Sequence, residues 1–283
     1  MKCPPLLFAL LLVTAPAFAA KPTPDKGSAM PLPASSKEPI EISAAKSLEW
    51  DRKNHTYTAH KSALAKQGPF QVASDTLVAK YHEGGAGKKG GTNIYQLDAE
   101  NNVVIQNPPY TAYGDHAVYD VATNHAVLTG QNLKIMTATE SLTAKDKIEF
   151  FGQENRLTAT GDAVAVKTPD TLKADVMNAY FEKDAQNRLA MHKVTANGHV
   201  VIQTEKETVY GDDGVYDIPR QKAVLTGKVK IYQDKNWLEG TRAEVDMNTG
   251  ISQLFGEGNK NTEGRVRGIF YPNTQPGAGN SKP

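Results

Sequence analysis

One segment of this chain occurs twice with little change. Residues 111–130 read TAYGDHAVYDVATNHAVLTG and residues 208–227 read TVYGDDGVYDIPRQKAVLTG, so that 12 of 20 positions are identical. Such a duplication means that one structural unit has been reused, and it predicts a chain organised as an array of units.

Weaker copies of the unit set its period at roughly thirty residues, which is typical of stacked repeats. When the copies are aligned, one equivalent position, or column, holds small residues and another holds glycine. The columns are Gly114, Ala144, Ala174, Gly211 and Gly240, then Gly130, Gly161, Gly198, Gly227 and Gly256. In both columns the spacing between successive members is longest in the unit that contains the polar insert at residues 182–188, and this insert is predicted to be a longer loop.

Inside a unit, apolar residues recur at every second position, as in Ala223, Leu225, Val229 and Ile231. Because successive strand side chains point to opposite faces, such a run predicts a strand with one apolar face. Turn-forming residues separate the runs, for example at residues 122–124 and 219–221. Each unit is therefore predicted to be two strands and a turn. The extra residue after Gly130 predicts a β-bulge.

The column of small residues allows two interpretations. Small side chains can let two faces of a sheet pack into a solid β-sandwich, or they can leave a channel along the array. The repeat alone favours neither.

The two ends of the chain differ in composition from the repeats. Met1-Lys2, the apolar run 6–13 and Ala17-Phe18-Ala19 predict a signal peptide (1–19) cleaved after Ala19, because the run is too short to span a bilayer. Residues 20–39 are Pro-rich and predict a disordered leader, and residues 273–283 predict a disordered tail. Residues 40–272 remain as one β domain. Cys3, the single cysteine, lies in the signal segment.

The residues that carry chemistry are sparse. The chain has 32 basic and 31 acidic residues, so it lacks the basic excess of a nucleic-acid binder. Its seven histidines show no metal-ligand spacing, and the Gly84–Gly91 loop departs from the phosphate-loop pattern because Lys88 is followed by Lys89. We therefore expect no metal, no cofactor and no enzymatic activity.

Several motifs, taken in order, carry a family resemblance. They are the opening Ile40–Ala44, the segment Phe70–Tyr81, the repeated Leu-x-Gly-x-Val-x-Ile pieces and the closing Gly264–Pro272. Over residues 40–272 the chain resembles the OstA-like family of LptA and its relatives, which bridge the periplasm in lipopolysaccharide transport. The closing segment is similar to alphaproteobacterial members, whereas Ala45 and Ala59 stand where the family often has Asp and Gly.

The resemblance implies an elongated antiparallel β-jelly-roll, a V-shaped twisted sheet of roughly sixteen strands. It implies a periplasmic carrier that moves lipopolysaccharide from the inner to the outer membrane, stacks head-to-tail with itself, and meets LptC-like and LptD-like domains at its two ends. It also implies an apolar trough for the acyl chains. The residues predicted to line that trough are Leu128, Leu133, Ile135, Leu142, Ile148, Phe150, Leu157, Leu172, Val200, Ile202, Tyr216, Leu225, Val229, Ile231, Val245 and Leu254.

Three hypotheses of different classes follow. The first is the lipid carrier, and the second is a solid β-scaffold of the cell envelope that binds no lipid. The third, an enzyme on a parallel β-solenoid, requires clustered acidic residues on one face, which the sequence does not show. Within the family, the predicted cleavage site argues against an LptC-like anchor, and the absence of a long barrel segment argues against LptD.

Overall fold

The structure is a computed structural model that describes residues 39–83, 92–185, 189–256, 258–259 and 262–271. The predicted signal peptide, almost all of the leader, the Gly84–Gly91 loop and the predicted tail lie outside the described residues. Residues 186–188 of the polar insert also lie outside them.

Within the described residues every regular element is a β-strand. The first ten strands are β1 (Glu41–Ser43), β2 (Ser47–Asp51), β3 (Thr56–Gln67), β4 (Phe70–Glu83), β5 (Thr92–Asn107), β6 (Tyr110–Asp120), β7 (His125–Thr129), β8 (Leu133–Met136), β9 (Glu140–Ala144) and β10 (Lys147–Phe151). The others are β11 (Arg156–Lys167), β12 (Asp170–Lys183), β13 (Leu189–Gln203), β14 (Thr208–Asp217), β15 (Lys222–Gln233), β16 (Asn236–Asp246), β17 (Ile251–Phe255), β18 (Gly258–Asn259), β19 (Thr262–Glu263) and β20 (Arg267–Ile269).

Eighteen of the described strands form one sheet, and β18 pairs with β19 separately. All pairings are antiparallel, and the long strands pair with their neighbours in the chain, from β3 to β6 and from β11 to β16. The predicted all-β antiparallel fold is thus confirmed, with eighteen strands in place of roughly sixteen.

The sheet divides lengthwise into two half-sheets along a line that we call the crease. The ladders between long strands are interrupted near their middle, for example between Thr160 and Ala163 of β11 and between Thr226 and Val229 of β15. The first half-sheet ends at the turns after β2, β6, β10, β14 and β16. The second half-sheet ends at the turns after β3, β5, β8, β11, β13 and β15.

Four positions of the sheet, one at each edge and two adjacent ones in the middle, hold two short strands in place of one long strand. Strands β1 and β2 pair with the two halves of β3, and β9 and β10 pair with the two halves of β11. Strands β7 and β8 share β6, and β17 and β20 share β16. The extra residue after Gly130, predicted to form a bulge, instead separates β7 from β8.

Pairs of residues with positive φ form the crease on alternate strands. Gly198 and His199 have φ of 75° and 47°, and Gly227 and Lys228 have φ of 78° and 45°. Glycine tolerates this left-handed region because it has no Cβ. The recurring glycine of the sequence repeat therefore occupies the position at which the strand bends from one half-sheet into the other.

The inward faces of both half-sheets pack into one apolar cluster. It contains Leu77, Leu128 and Leu225 from the first half-sheet, and Val103 and Val229 from the second. The inward faces of the two half-sheets exclude water from each other, and they share one interior that follows the crease. This shared interior explains the alternation of apolar residues in the sequence.

Candidate functional site

The interior beside the crease is built from alternating large and small side chains. In the first half-sheet, Leu77 lies opposite Ala59 and Ala99, and Leu225 lies opposite Gly214 and Ala243. The small residue leaves space that the large neighbour fills, so this row is continuous from strand to strand.

The small residues of the second half-sheet lie against leucines of the first. A Cβ placed on Gly211 would be 2.6 Å from Cγ of Leu225, and one on Gly114 would be 2.7 Å from Cδ1 of Leu128. Of the two interpretations left open by the sequence, the structure favours packing at the crease. At the crease, leucine side chains pack against the small residues of this column and fill the space beside them.

All sixteen residues predicted to line a trough are buried or half-buried. The buried ones are Leu128, Leu133, Ile135, Ile148, Phe150, Val200, Leu225, Val229, Ile231 and Val245, and the half-buried ones are Leu142, Leu157, Leu172, Ile202, Tyr216 and Leu254. They face the interior from both half-sheets along the length of the later repeats. Contact of these residues with a lipid stays a prediction.

An apolar cavity of about 60 Å³ lies between the half-sheets near the middle of the chain. Leu97, Tyr119 and Phe150 line it from the first half-sheet, and Phe70 and Ile135 line it from the second. Sites for small molecules usually measure about 300–1,000 Å³. This cavity is therefore apolar and smaller than a usual ligand site.

Charged groups lie on the outward face of the first half-sheet, behind the lining of this cavity. Because Ile148 faces the interior, the side chain of Glu149 next to it on β10 points to the opposite face. The Glu149 carboxylate lies 2.8 Å from Nζ of Lys147 and 3.6 Å from Nε2 of His125. The His125 ring stacks on Phe151 on the same outward face.

A second cavity of about 60 Å³ lies near the C-terminal edge of the sheet. It is lined by Trp237, Leu238, Leu254, Phe270 and the half-buried Glu207. Burial raises the pKa of the Glu207 carboxyl to about 7, because the charged form loses hydration. This carboxyl therefore changes its charge near neutral pH at one end of the interior.

Sequence reasoning missed the first third of the interior and part of β12. Leu77, Val103 and Ile105 are buried core residues that carry the same alternating signal as the predicted set. Met177 was missed for a different reason. The interruption between Lys173 and Val176 adds one residue, so inward positions pass from even to odd numbers along β12.

No group of three or more His, Cys, Asp or Glu residues suited to a metal ion occurs among the residues that the structure describes. Among those residues there is also no helix long and apolar enough to cross a membrane.

Fold and interior together define an all-β protein whose eighteen-stranded antiparallel sheet folds along its length around an apolar core. A family model described as "LptA/(LptD N-terminal domain) LPS transport protein" matches residues 41–155 and again residues 145–251. The chain therefore belongs to this family of lipopolysaccharide transport proteins, which is not a family of enzymes. No curated protein matches the chain significantly.

Among solved structures, the chain is similar to LptH from Pseudomonas aeruginosa. That structure is described as the LptA homologous periplasmic component of the conserved lipopolysaccharide transport device. The similarity has 18% sequence identity and a TM-score of 0.39, and it covers 47% of this chain and 95% of LptH.

Proposed function

We propose that this protein is a periplasmic carrier that moves lipopolysaccharide from the inner to the outer membrane. The acyl chains lie in a trough between the two half-sheets, while the sugars and phosphates stay in water. The observation that carries the proposal is the continuous apolar interior in a chain of a lipopolysaccharide transport family. Each buried methylene gains about 0.8 kcal/mol, so acyl chains need such shielding to cross an aqueous compartment.

The location and partners belong to the same proposal. The predicted signal peptide directs the chain to the periplasm, where the protein stacks head-to-tail with itself and meets LptC-like and LptD-like domains at its ends. Support comes from the edges of the sheet, where Leu48, Trp50 and Ile251 are exposed. A sheet edge with exposed apolar side chains is a template for pairing with another chain. The alphaproteobacterial assignment rests on the closing segment Gly264–Pro272 alone.

The narrowness of the cavity favours a second candidate, a solid β-scaffold of the cell envelope that binds no lipid. The two candidates differ in whether the half-sheets separate. In the carrier they open for the acyl chains, whereas in the scaffold the interior remains a packed core.

An arginine at Ile202 separates the two candidates. Ile202 is half-buried on the inward face of β13, and its neighbour Val201 is half-buried on the outward face of the same strand. We expect Ile202→Arg to fold and to lose at least tenfold in affinity for lipopolysaccharide, because the guanidinium charges the trough. Val201→Arg, the matched control, keeps its affinity.

The measurement is binding of purified lipopolysaccharide, with circular dichroism as the check on folding. The scaffold predicts that the unsubstituted protein binds no lipopolysaccharide. Retention of full affinity by a folded Ile202→Arg protein would also contradict the trough.

A further inference from the structure

The N-terminal edge of the sheet has an internal counterpart. Asp51 of β2 lies opposite Thr56, and Phe151 of β10 lies opposite Arg156. Ser43 of β1 lies opposite Leu64, and Thr143 of β9 lies opposite Val164. In each comparison, the internal residue has a number 100 higher than the corresponding residue at the N-terminal edge. Strands β9 and β10 are therefore a second copy of the N-terminal edge, located inside the sheet.

The C-terminal edge has an internal counterpart as well. Asp120 lies opposite His125 at the start of β7, and Asp246 lies opposite Ile251 at the start of β17. Both aspartates accept a hydrogen bond from the backbone N–H three residues on, at 2.8 and 3.2 Å.

The partner strands continue this correspondence. Ala112 lies opposite Ile135 of β8, and Leu238 lies opposite Gly268 of β20. Residues of β16 and β17 have numbers 126 higher than the corresponding residues of β6 and β7. The segment between the two short strands is longer at the C-terminal edge, where it comprises residues 256–266.

The two internal counterparts are paired with each other. Strand β7 pairs with β10, and β8 pairs with β9, so a C-terminal type of edge joins an N-terminal type of edge in the middle of the chain. We propose that the C-terminal edge of one molecule pairs with the N-terminal edge of a second copy in the register of this internal junction. The inference rests on the head-to-tail assembly proposed above and fixes which residues meet.

The register follows from these two offsets and from a third, the 133 residues that separate Ile135 of β8 from Gly268 of β20. Internally, Leu128 lies opposite Ile148 and Val127 opposite Glu149. Between molecules the corresponding pairs are Leu254 with Leu48 and Gln253 with Glu49. The full set of predicted pairs is Phe255–Ser47, Leu254–Leu48, Gln253–Glu49, Ser252–Trp50, Ile251–Asp51, Arg267–Ser43, Gly268–Ile42 and Ile269–Glu41.

Exposure supports a missing partner at both edges. Leu48 is 55% exposed while its counterpart Ile148 is 3% exposed, and Trp50 is 52% exposed while Phe150 is 6% exposed. Among the described residues, β2 pairs only with β3 and β17 only with β16. Apolar side chains buried at the internal junction thus lie open to solvent at the ends of the sheet.

The apolar pattern of the edges disfavours a pairing slipped by one residue. Shifting β17 by one residue against β2 places Leu254 opposite Ser47 or Glu49 and turns Leu48 and Trp50 of the second copy away from the shared interior. None of the proposed pairs brings two like charges together, which is required of residues directly opposite in a ladder. A second copy in the internal register continues both apolar half-sheets across the junction.

Engineered disulfides test the register. Gln253→Cys and Glu49→Cys are made in separate proteins, each with Cys3→Ser so that only the introduced thiol is present. Residues directly opposite have Cα atoms about 4.5–5.5 Å apart, within the range that a disulfide spans. We expect the mixed proteins to form a covalent dimer upon mild oxidation.

The matched control pairs Gln253→Cys with Ser47→Cys, displaced by two residues and about 7 Å along the strand. We expect its cross-linking to be at least tenfold weaker. Equal cross-linking of both pairs, or no cross-linking between folded proteins, would overturn the proposal. Lipopolysaccharide binding by the same unmixed proteins is measured in parallel, so that failure of the register is distinguished from failure of the carrier function.

Discussion

At the scale of single residues, the crease on β11, β13 and β15 lies at a glycine with positive φ. Gly227 has a φ of 78°, and a Cβ placed on it would be 2.3 Å from Oδ2 and 2.6 Å from Cβ of Asp212. Gly250 has a similar φ of 69°, but a Cβ there meets nothing within 4 Å. The two positions therefore separate backbone strain from steric conflict.

We expect Gly250→Ala to destabilise the protein by about 1 kcal/mol, because alanine is strained in the left-handed region. Gly227→Ala adds a conflict with Asp212, and we expect a loss of about 2–4 kcal/mol in the free energy of unfolding. Urea unfolding of both variants measures the difference. Equal losses would contradict the close packing at the crease.

The sequence predicted the recurring glycines of the crease, Gly227 among them, as a column, and it predicted the inward positions of β15 correctly. On β15 the crease adds two residues between Leu225 and Val229, so the alternation is preserved across it. On β12 and β14 it adds one, so the alternation changes phase, as from Gly211 to Gly214. Strict alternation of apolar residues in the sequence could not predict this shift of the inward positions. The shift depends on which hydrogen bonds of the ladder are interrupted.

At the scale of elements, the two half-sheets must separate if acyl chains are to enter a cavity of about 60 Å³. The turn after β6 ends the first half-sheet and the turn after β8 ends the second. Ala122 and Thr139 are exposed residues on these two turns. We call the space between the ends of the two half-sheets at these turns the mouth. The distance between Ala122 and Thr139 therefore reports on the opening of the mouth.

We expect spin labels at Ala122→Cys and Thr139→Cys, in a Cys3→Ser background, to move apart by several ångström when lipopolysaccharide binds. The control pair, Ala122→Cys and Gln153→Cys, lies on two turns of the first half-sheet and keeps its distance. Double electron–electron resonance gives both distances. An unchanged distance across the mouth in lipid-loaded protein would show that the chains bind elsewhere.

Strand existence and apolar faces were accessible from the sequence, whereas the division into half-sheets was not. The residue after Gly130 suggested a bulge, but β7 and β8 are separate strands with different partners, β10 and β9. The choice between a bulge and a break depends on the strand that pairs with both halves. Such pairing joins residues distant in sequence, and local pattern does not determine it.

At the scale of the whole molecule, one sheet contains two family units joined edge to edge. The family model matches the chain twice, over residues 41–155 and 145–251, and the described residues of both matches belong to one antiparallel sheet. The interior passes from β6 through β7 and β10 to β11 without a polar barrier, since Leu128, Ile148 and Ala159 lie side by side. The apolar interior therefore extends over both units.

Photo-crosslinking in cells tests the central claim most directly. A crosslinkable residue replaces Ile202 or Leu225, which face the interior, or Lys228, which is exposed at the crease. The carrier account predicts lipopolysaccharide adducts at Ile202 and Leu225 and none at Lys228. An absence of adducts at both interior positions, in protein that is folded and exported, would contradict the account and leave a solid β-scaffold.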